Sequence, residues 1–196
     1  MANATANYGF SYVKSYAGPE PANIECAALT AASDLYVGDP VKLSGTGDSS
    51  GRPSITVAAA GDMVFGVVEG FKASGPDNLN KMYSNSADTV MVKPTLQGVV
   101  FRVNTSNTTG ARLDDIGLRF DHVATAGDTL TGRSGYALDV GEDATAGSST
   151  ENQWLLIGFD RRPDNEFSTT VTTDTINVDL LVVCLETTWG QDGTGA

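Results

Sequence analysis

The chain has 196 residues, enough for one domain with a sizeable core, and its 24 acidic and 12 basic side chains give it a net charge of -12. So few scattered bases do not supply the basic face of an electrostatic nucleic-acid binder, and the same charge disfavours an anionic membrane surface. The longest apolar run, Leu180–Leu185, has six residues and is too short to span a bilayer. We therefore expect no nucleic-acid partner and no membrane partner.

The first residues, MANATANYGF, lack the basic and apolar regions of a secretory signal, so we expect synthesis in a cytoplasm. In such a reducing compartment, Cys26 and Cys184 are expected to be free thiols that pack as small apolar groups. A disulfide between them is the alternative.

An aromatic segment opens the chain. Tyr8, Phe10, Tyr12 and Tyr16 lie at even positions, so in an extended segment their rings share one face. We predict that residues 1–24 form an extended arm whose first three rings contact a neighbouring chain, because rings bury large areas at little rotamer cost. The alternative is an ordinary edge strand of the core.

Short runs rich in Val, Ile, Thr, Phe and Leu follow, and turn residues bound each of them. This spacing predicts an all-β protein, a single β-sandwich or barrel with many short strands and long loops. Residues 25–188 are predicted to form the β domain, and residues 189–196 a disordered tail. A helical turn is expected at Ala111–Ile116. The predicted strands are Pro40–Leu43, Ser54–Ala59, Met63–Phe71, Thr89–Val92, Gly98–Val103, Trp154–Phe159 and Thr175–Leu185.

Four segments are expected to pack poorly because they are rich in Gly, Pro, Ser and polar residues. Loops of this length serve contacts with another molecule or are tolerated surface insertions, and both interpretations stay open. The segments are residues 1–24, Gly45–Arg52, Ala73–Asn80 and Gly141–Glu151.

Gly-Asp pairs precede several predicted strands, in VGDPVKL at 37–43, AAAGDMVFGVVEGF at 58–71 and TAGDTLTG at 125–132. Glycine allows a positive φ in such a turn, and the aspartate is expected to accept hydrogen bonds from the backbone amides that follow it. Gly66 and Gly158 interrupt apolar strands, which predicts a bulge or a barrel corner.

Residues for catalysis are sparse. His122 is the single histidine, no G-x-S-x-G elbow is present, and the cysteines have no zinc-site spacing, so we predict a structural or solvated histidine. Asp160–Glu166 and Gly141–Glu151 hold clustered acids, but neither matches a known calcium loop, so solvated acids are expected. We expect no catalytic residue, no cofactor and no bound metal.

The sequence DRRPDNE at 160–166 places both charge signs directly after an apolar strand. Arginine binds carboxylates through two parallel hydrogen bonds, so Arg161, Arg162 and Asp164 are predicted to contact another subunit through an ion pair. A salt-bridged turn within the chain is the alternative.

The order of YGFSYV, LYVGDPVKL, ITVAAAGDMVFGVVEGF, TGRSGYALD and LLIGFDRRPDNE resembles the capsid cement, or decoration, proteins of tailed bacteriophages. The resemblance covers much of residues 8–165. It implies an all-β protein without cofactor or catalytic residues on the outer capsid surface of the virion. It further implies a homotrimer at local threefold positions that binds the major capsid protein and stabilises the head.

Three other functions remain open at this stage. A head-fibre module that binds a host glycan or receptor would use an exposed ring, for which Trp189 is a better candidate than Trp154 in its apolar run. A β-fold hydrolase would need two carboxylates in one pocket. A tail or neck structural protein would form a ring of another symmetry.

Overall fold

The computed structural model describes residues 6–29, 34–73, 83–84, 88–106, 110–141 and 153–189. In this part of the chain the extended elements are all β-strands, and a 3₁₀ turn, Leu113–Asp115, is the helical element. The strands are β1 Ser11–Ser15, β2 Ile24–Ala28, β3 Leu35–Tyr36, β4 Pro40–Gly47, β5 Pro53–Val57, β6 Gly66–Phe71, β7 Tyr83–Ser84, β8 Thr89–Pro94, β9 Val99–Asn104, β10 Arg119–Val123, β11 Ala137–Asp139, β12 Trp154–Phe159 and β13 Asp179–Cys184.

A six-stranded antiparallel sheet has the order β1-β9-β13-β12-β10-β11. Its strands alternate, as β9 shows: Val99, Phe101 and Val103 lie in the main core, whereas Arg102 lies on the other face. Trp154 is fully buried in this core and Phe10 stacks on it, with the ring centroids 4.2 Å apart. The main core therefore holds the first strand in place.

A closed five-stranded barrel, in the order β2-β5-β4-β6-β8, forms the second unit of the fold. Its pairs are antiparallel except for β2 with β5, which is parallel. A smaller core of short aliphatic side chains fills it, including Val41, Ile55, Val90 and Val92. Val67 of β6, and Ala58 and Val64 between β5 and β6, pack into the main core instead, so they join the barrel to the sheet.

The all-β prediction is confirmed. Each of the seven predicted runs contains a strand, and the predicted helical turn contains the 3₁₀ turn, which is followed by Gly117 at φ 94°. The described strands that sequence patterns missed are β2, β3, β7, β10 and β11. They are short or contain charged residues, so their periodicity is weak, and pairing with neighbours stabilises them.

The predictions for the two strand glycines, Gly66 and Gly158, have different outcomes. In β6, a Cβ on Gly66 would lie 2.4 Å from Cγ1 of Val92 and 2.5 Å from the carbonyl oxygen of Lys93, so this residue permits close approach of two barrel strands. Between Leu156 and Gly158 the β12–β13 register shifts, which is the predicted bulge.

Two predicted loose segments are ordered where they are described. Phe10 is only 2% exposed and β1 pairs with β9, so poor packing of the N-terminal segment is wrong for these residues. Within Gly45–Arg52, β4 continues to Gly47, and Asp48 accepts hydrogen bonds from the backbone amides of Ser50 and Arg52. The predicted loops at 73–80 and 141–151 lie almost entirely outside the described residues. The predicted disordered tail 189–196 also lies outside them except for Trp189, which packs on Phe65, so the prediction is wrong for that residue.

Cys26 is buried in the barrel core and Cys184 in the main core, and both are free thiols. In the described part of the chain, no helix has the length and apolar character needed to cross a membrane.

Candidate contact site

The aromatic residues of the N-terminal segment do not form one face. Gly9 adopts φ 72°, and the β1–β9 register shifts between Tyr12 and Lys14, so the side-chain alternation is interrupted twice. The ring of Phe10 is buried in the core and has no surface to offer to another chain. The prediction of a shared ring face is therefore wrong, and for Phe10 the edge-strand alternative describes the structure.

Tyr12 contacts the barrel within the same chain. Its ring lies 4.9 Å from Nζ of Lys93, which donates hydrogen bonds to Glu20 at 2.7 Å and to the carbonyl oxygen of Pro21 at 3.0 Å. The aliphatic stem of Lys93 is buried, so these contacts tie residues 12–21 to β8.

Tyr8 contacts residues of β9 and β13. Its hydroxyl donates a 2.6 Å hydrogen bond to Oδ1 of Asp179, and its ring centroid lies 6.0 Å from the guanidinium carbon of Arg102. Burial, together with the hydrogen bond to Asp179, raises the pKa of this hydroxyl well above its usual value. Tyr8 is thus a neutral donor that joins the N-terminal segment to β9 and β13.

Arg162 is the centre of the DRRPDNE turn. Its Nε donates to Oδ2 of Asp160 at 2.8 Å, Nη2 contacts a carboxylate oxygen of Asp179, and Nη1 lies 3.7 Å from Oδ2 of Asp164. Asn165 clamps the turn, because its amide nitrogen donates to the carbonyl oxygens of Asp160 and Asp179 at 2.6 and 2.9 Å. The salt-bridged turn, one of the two sequence interpretations, is present.

These groups line an open cleft of about 540 Å³, which we call the arginine cleft. Arg162 is paired with three aspartates, but Arg133 is exposed and forms no ion pair with any residue that the structure describes. The lining residues are Tyr8, Ser11, Val37, Arg102, Arg133, Arg162, Asp164, Asn165, Asn177 and Asp179.

Three lining residues carry a buried polar atom that has no hydrogen-bond partner among the described residues: Ser11 Oγ, Arg102 Nε and Asn177 Oδ1. Asn177 adopts φ 53° in a turn, a left-handed conformation that asparagine tolerates better than most residues. Unsatisfied buried groups concentrate at functional sites. The three unsatisfied atoms favour the arginine cleft as a site of contact.

The structure therefore brings together Tyr8, Arg162 and Asp164 of the six predicted contact residues. Arg161 points elsewhere and lines a groove of about 390 Å³ with apolar residues such as Ile157, Phe167 and Leu181. Sequence patterns missed Arg102, Arg133 and Asp179. A charge inside the apolar run VVFRVN was the available signal for Arg102, because period-two alternation assigns it to the outer face of its strand.

His122 is a structural residue. Trp154 donates its indole N–H to Nδ1 at 3.1 Å, and Nε2 lies 2.9 Å from the carbonyl oxygen of Ala58. Because indole N–H is only a donor, Nδ1 accepts and Nε2–H donates to Ala58, which fixes the neutral tautomer. Burial lowers the pKa of His122 to about 4.

Among the described residues, no group of three or more His, Cys, Asp or Glu side chains is arranged to hold a metal ion. Asp160 and Asp164 of the DRRPDNE turn pair with Arg162 instead. Most of the second acidic segment, 142–150, lies outside the described residues.

Comparison with protein-family models, with curated proteins and with solved structures found no match to this chain.

Proposed function

We propose that this protein is a virion structural protein that binds the outer surface of the major capsid protein shell and stabilises the head. It acts as a homotrimer at local threefold positions, by contact and without a catalytic step. The arginine cleft carries the proposal, because it gathers Tyr8, Arg162 and Asp164 at one surface together with Arg133, which has no ion pair within the described part of the chain. The resemblance of the sequence to phage cement proteins and the all-β fold agree with it.

The cleft suits a carboxylate on a neighbouring chain. Arg133 offers a guanidinium fork that is free of carboxylates among the described residues, and an incoming Asp or Glu would accept two parallel hydrogen bonds from it. Arg162 is already saturated by aspartates, so it holds the wall of the cleft in place.

Weak contacts of this kind become strong when three copies bind as a unit. The second and third contacts are intramolecular once the first has formed, which raises their effective concentration. A protein that binds only the assembled lattice stabilises that lattice by mass action. The net charge of -12 keeps free copies soluble and disfavours binding to the packaged genome.

The test is co-sedimentation with undecorated heads, preceded by light scattering of the free protein. We expect a trimer that binds heads and raises the temperature at which they rupture. Arg133→Glu should weaken binding about tenfold, since it replaces an attraction with a repulsion at the cleft. Arg112→Glu makes the same charge change outside the cleft and is the matched control. A monomer that ignores heads, or equal binding by both variants, would refute the proposal.

A host-glycan-binding module is the second candidate, and the exposure of Trp189 favours it. The Trp189 side chain is 43% exposed, while its indole N–H donates to the carbonyl oxygen of Phe65 at 2.7 Å and its ring packs on Phe65. A ring fixed on one side and open on the other is suited to stacking on a sugar. Trp154, in contrast, is fully buried. Glycan-array binding that is lost in Trp189→Ala would favour this function over capsid binding.

A further inference from the structure

A second pocket, of about 380 Å³, lies where the barrel meets the six-stranded sheet. Asp39 and Val57 contribute to it from the barrel side, and the segment 124–127 and Tyr136 contribute from the segments that flank β10 and β11. None of these residues lines the arginine cleft. We call this space the Asp39 pocket.

Asp39 is a buried carboxyl group without a counter-charge. The residue is 1% exposed, and its Oδ2 accepts a hydrogen bond from the backbone amide of Tyr36 at 2.9 Å. Among the described residues, its Oδ1 has no hydrogen-bond partner and Asp39 forms no salt bridge. The Ser134 hydroxyl lies nearby and favours the ionised form without completing a bond to Oδ1. Buried carboxylates are normally paired. Asp39 lacks such a partner, and the pocket beside it has room for one.

The walls of the pocket favour a positively charged occupant. Asp34 adds a second carboxylate, whose Oδ2 lies 3.4 Å from the hydroxyl of Tyr36. Tyr36 and Tyr136 contribute aromatic rings, which attract cations through their faces. Gly127 lets the backbone lie against the Tyr36 ring, since a Cβ there would come within 2.4 Å of two ring carbons.

From this arrangement we propose that the Asp39 pocket binds an organic cation, an alkylammonium or guanidinium group, with Asp39 and Asp34 as its counter-ions and the tyrosine rings as its walls. The cation supplies hydrogen-bond donors to Oδ1 and balances the negative charge that Asp39 carries once it is ionised. Two sources share this chemistry: a Lys or Arg side chain of another protein chain, and a free small amine. The proposal goes beyond the capsid-binding function and does not depend on it.

The experiment is a titration of the full chain with n-butylammonium and methylguanidinium, in which binding is measured by amide chemical shifts in NMR spectra. We expect saturable shifts confined to residues around the pocket. Asp39→Asn keeps the shape of the side chain but removes its charge, and should weaken binding about tenfold or more. Asp34→Asn should weaken it by a smaller factor, and it replaces Asp39→Asn as the decisive variant if the latter does not fold. Asp174→Asn, an exposed acid outside the pocket, is the matched control and should bind as the wild type does.

The source is distinguished by a capped Gly-Lys-Gly peptide used beside n-butylammonium. Tighter binding of the peptide indicates a side chain of a partner protein, and equal or weaker binding indicates a free amine. Absence of saturable shifts with all three probes would overturn the proposal, as would shifts that are unchanged in both pocket variants. Saturable binding of Ca²⁺ at the pocket, with no response to the organic cations, would also overturn it. Each of these outcomes can be interpreted even if the capsid-binding test fails.

Discussion

Trp154 donates its indole N–H to Nδ1 of His122, and this contact keeps an imidazole neutral in the main core. The pKa of His122 is lowered to about 4 by burial, against 6.5 for an ordinary histidine. In the Asp39 pocket, burial raises the pKa of Asp39 from 3.8 to about 7. The two groups therefore resist charging in the same pH range, but with opposite effects on stability.

His122→Gln should remove the contribution of His122 to the pH dependence of the free energy of unfolding. Between pH 6.5 and about 4 the unfolded chain binds a proton at His122 that the folded chain refuses, so this residue makes the free energy of unfolding fall as the pH falls. The loss from this residue amounts to about 3 kcal/mol over the interval. Glutamine does not titrate, so the variant should gain stability relative to the wild type on acidification. Urea unfolding at several pH values measures it, and a pH-independent difference between the two proteins would refute the shift.

Asp39→Asn should change stability in the opposite direction. Above pH 3.8 the unfolded chain releases a proton that the folded chain holds until about pH 7, so Asp39 lowers the free energy of unfolding as the pH rises. The free energy of unfolding of Asp39→Asn, taken relative to that of the wild type, should therefore be about 4 kcal/mol higher at pH 8 than at pH 3. The measurement is urea unfolding in buffers without organic amines. If the variant follows the wild-type profile at both pH values, Asp39 is not held protonated by the fold.

Phe10→Ala tests whether the N-terminal segment is an edge strand of the core. The ring is buried and stacked on Trp154, so truncation should lower the free energy of unfolding by about 3–5 kcal/mol. Tyr16→Ala, whose side chain is 67% exposed, is the control and should change it by less than about 0.5 kcal/mol. Chemical denaturation of both variants decides the matter, and equal small losses would show that Phe10 is not part of the core.

Gly66→Ala and Gly70→Ala form a matched pair within β6. A methyl group at position 66 would meet the backbone of Lys93 and the side chain of Val92, so the closed barrel must open or shift. At position 70 a Cβ would have no atom within 4 Å. We expect Gly66→Ala to cost about 1–3 kcal/mol through overpacking, and Gly70→Ala to be neutral or slightly stabilising. Thermal unfolding compares them, and similar melting temperatures would mean that the strands do not approach as closely as described.

Part of the candidate site was predictable from local sequence. The sequence DRRPDNE predicts a charged turn, and Arg162 and Asp164 were identified as contact residues because they lie in it. Arg102 and Asp179 join them only because β9 and β13 pair in a register that sets Arg102 opposite Leu181, with Asp179 two residues farther along β13 on the same face. Arg133 joins them through its bridge to Val37, which also lines the cleft. No local pattern encodes that register, since many pairings satisfy the same alternation.

The Gly-Asp turn at Asp39 was likewise predicted only in part from local sequence. Sequence predicted hydrogen bonds from the amides that follow the aspartate, but Asp39 accepts one from Tyr36, which precedes it. The carboxyl group is buried because the barrel and the six-stranded sheet close over it, and the segment that does so comes from residues 124–136.

The sequence by itself determined the class of fold, the approximate positions of seven strands and the acidic surface, because turn residues, β-branched runs and net charge act locally or as sums over the chain. Only the tertiary structure decided that Phe10 is core, that Arg161 and Arg162 face different surroundings, and that Asp39 is buried without a counter-charge. These properties depend on which distant segments meet, and that is set by the cooperative burial of two apolar cores rather than by any short stretch of residues.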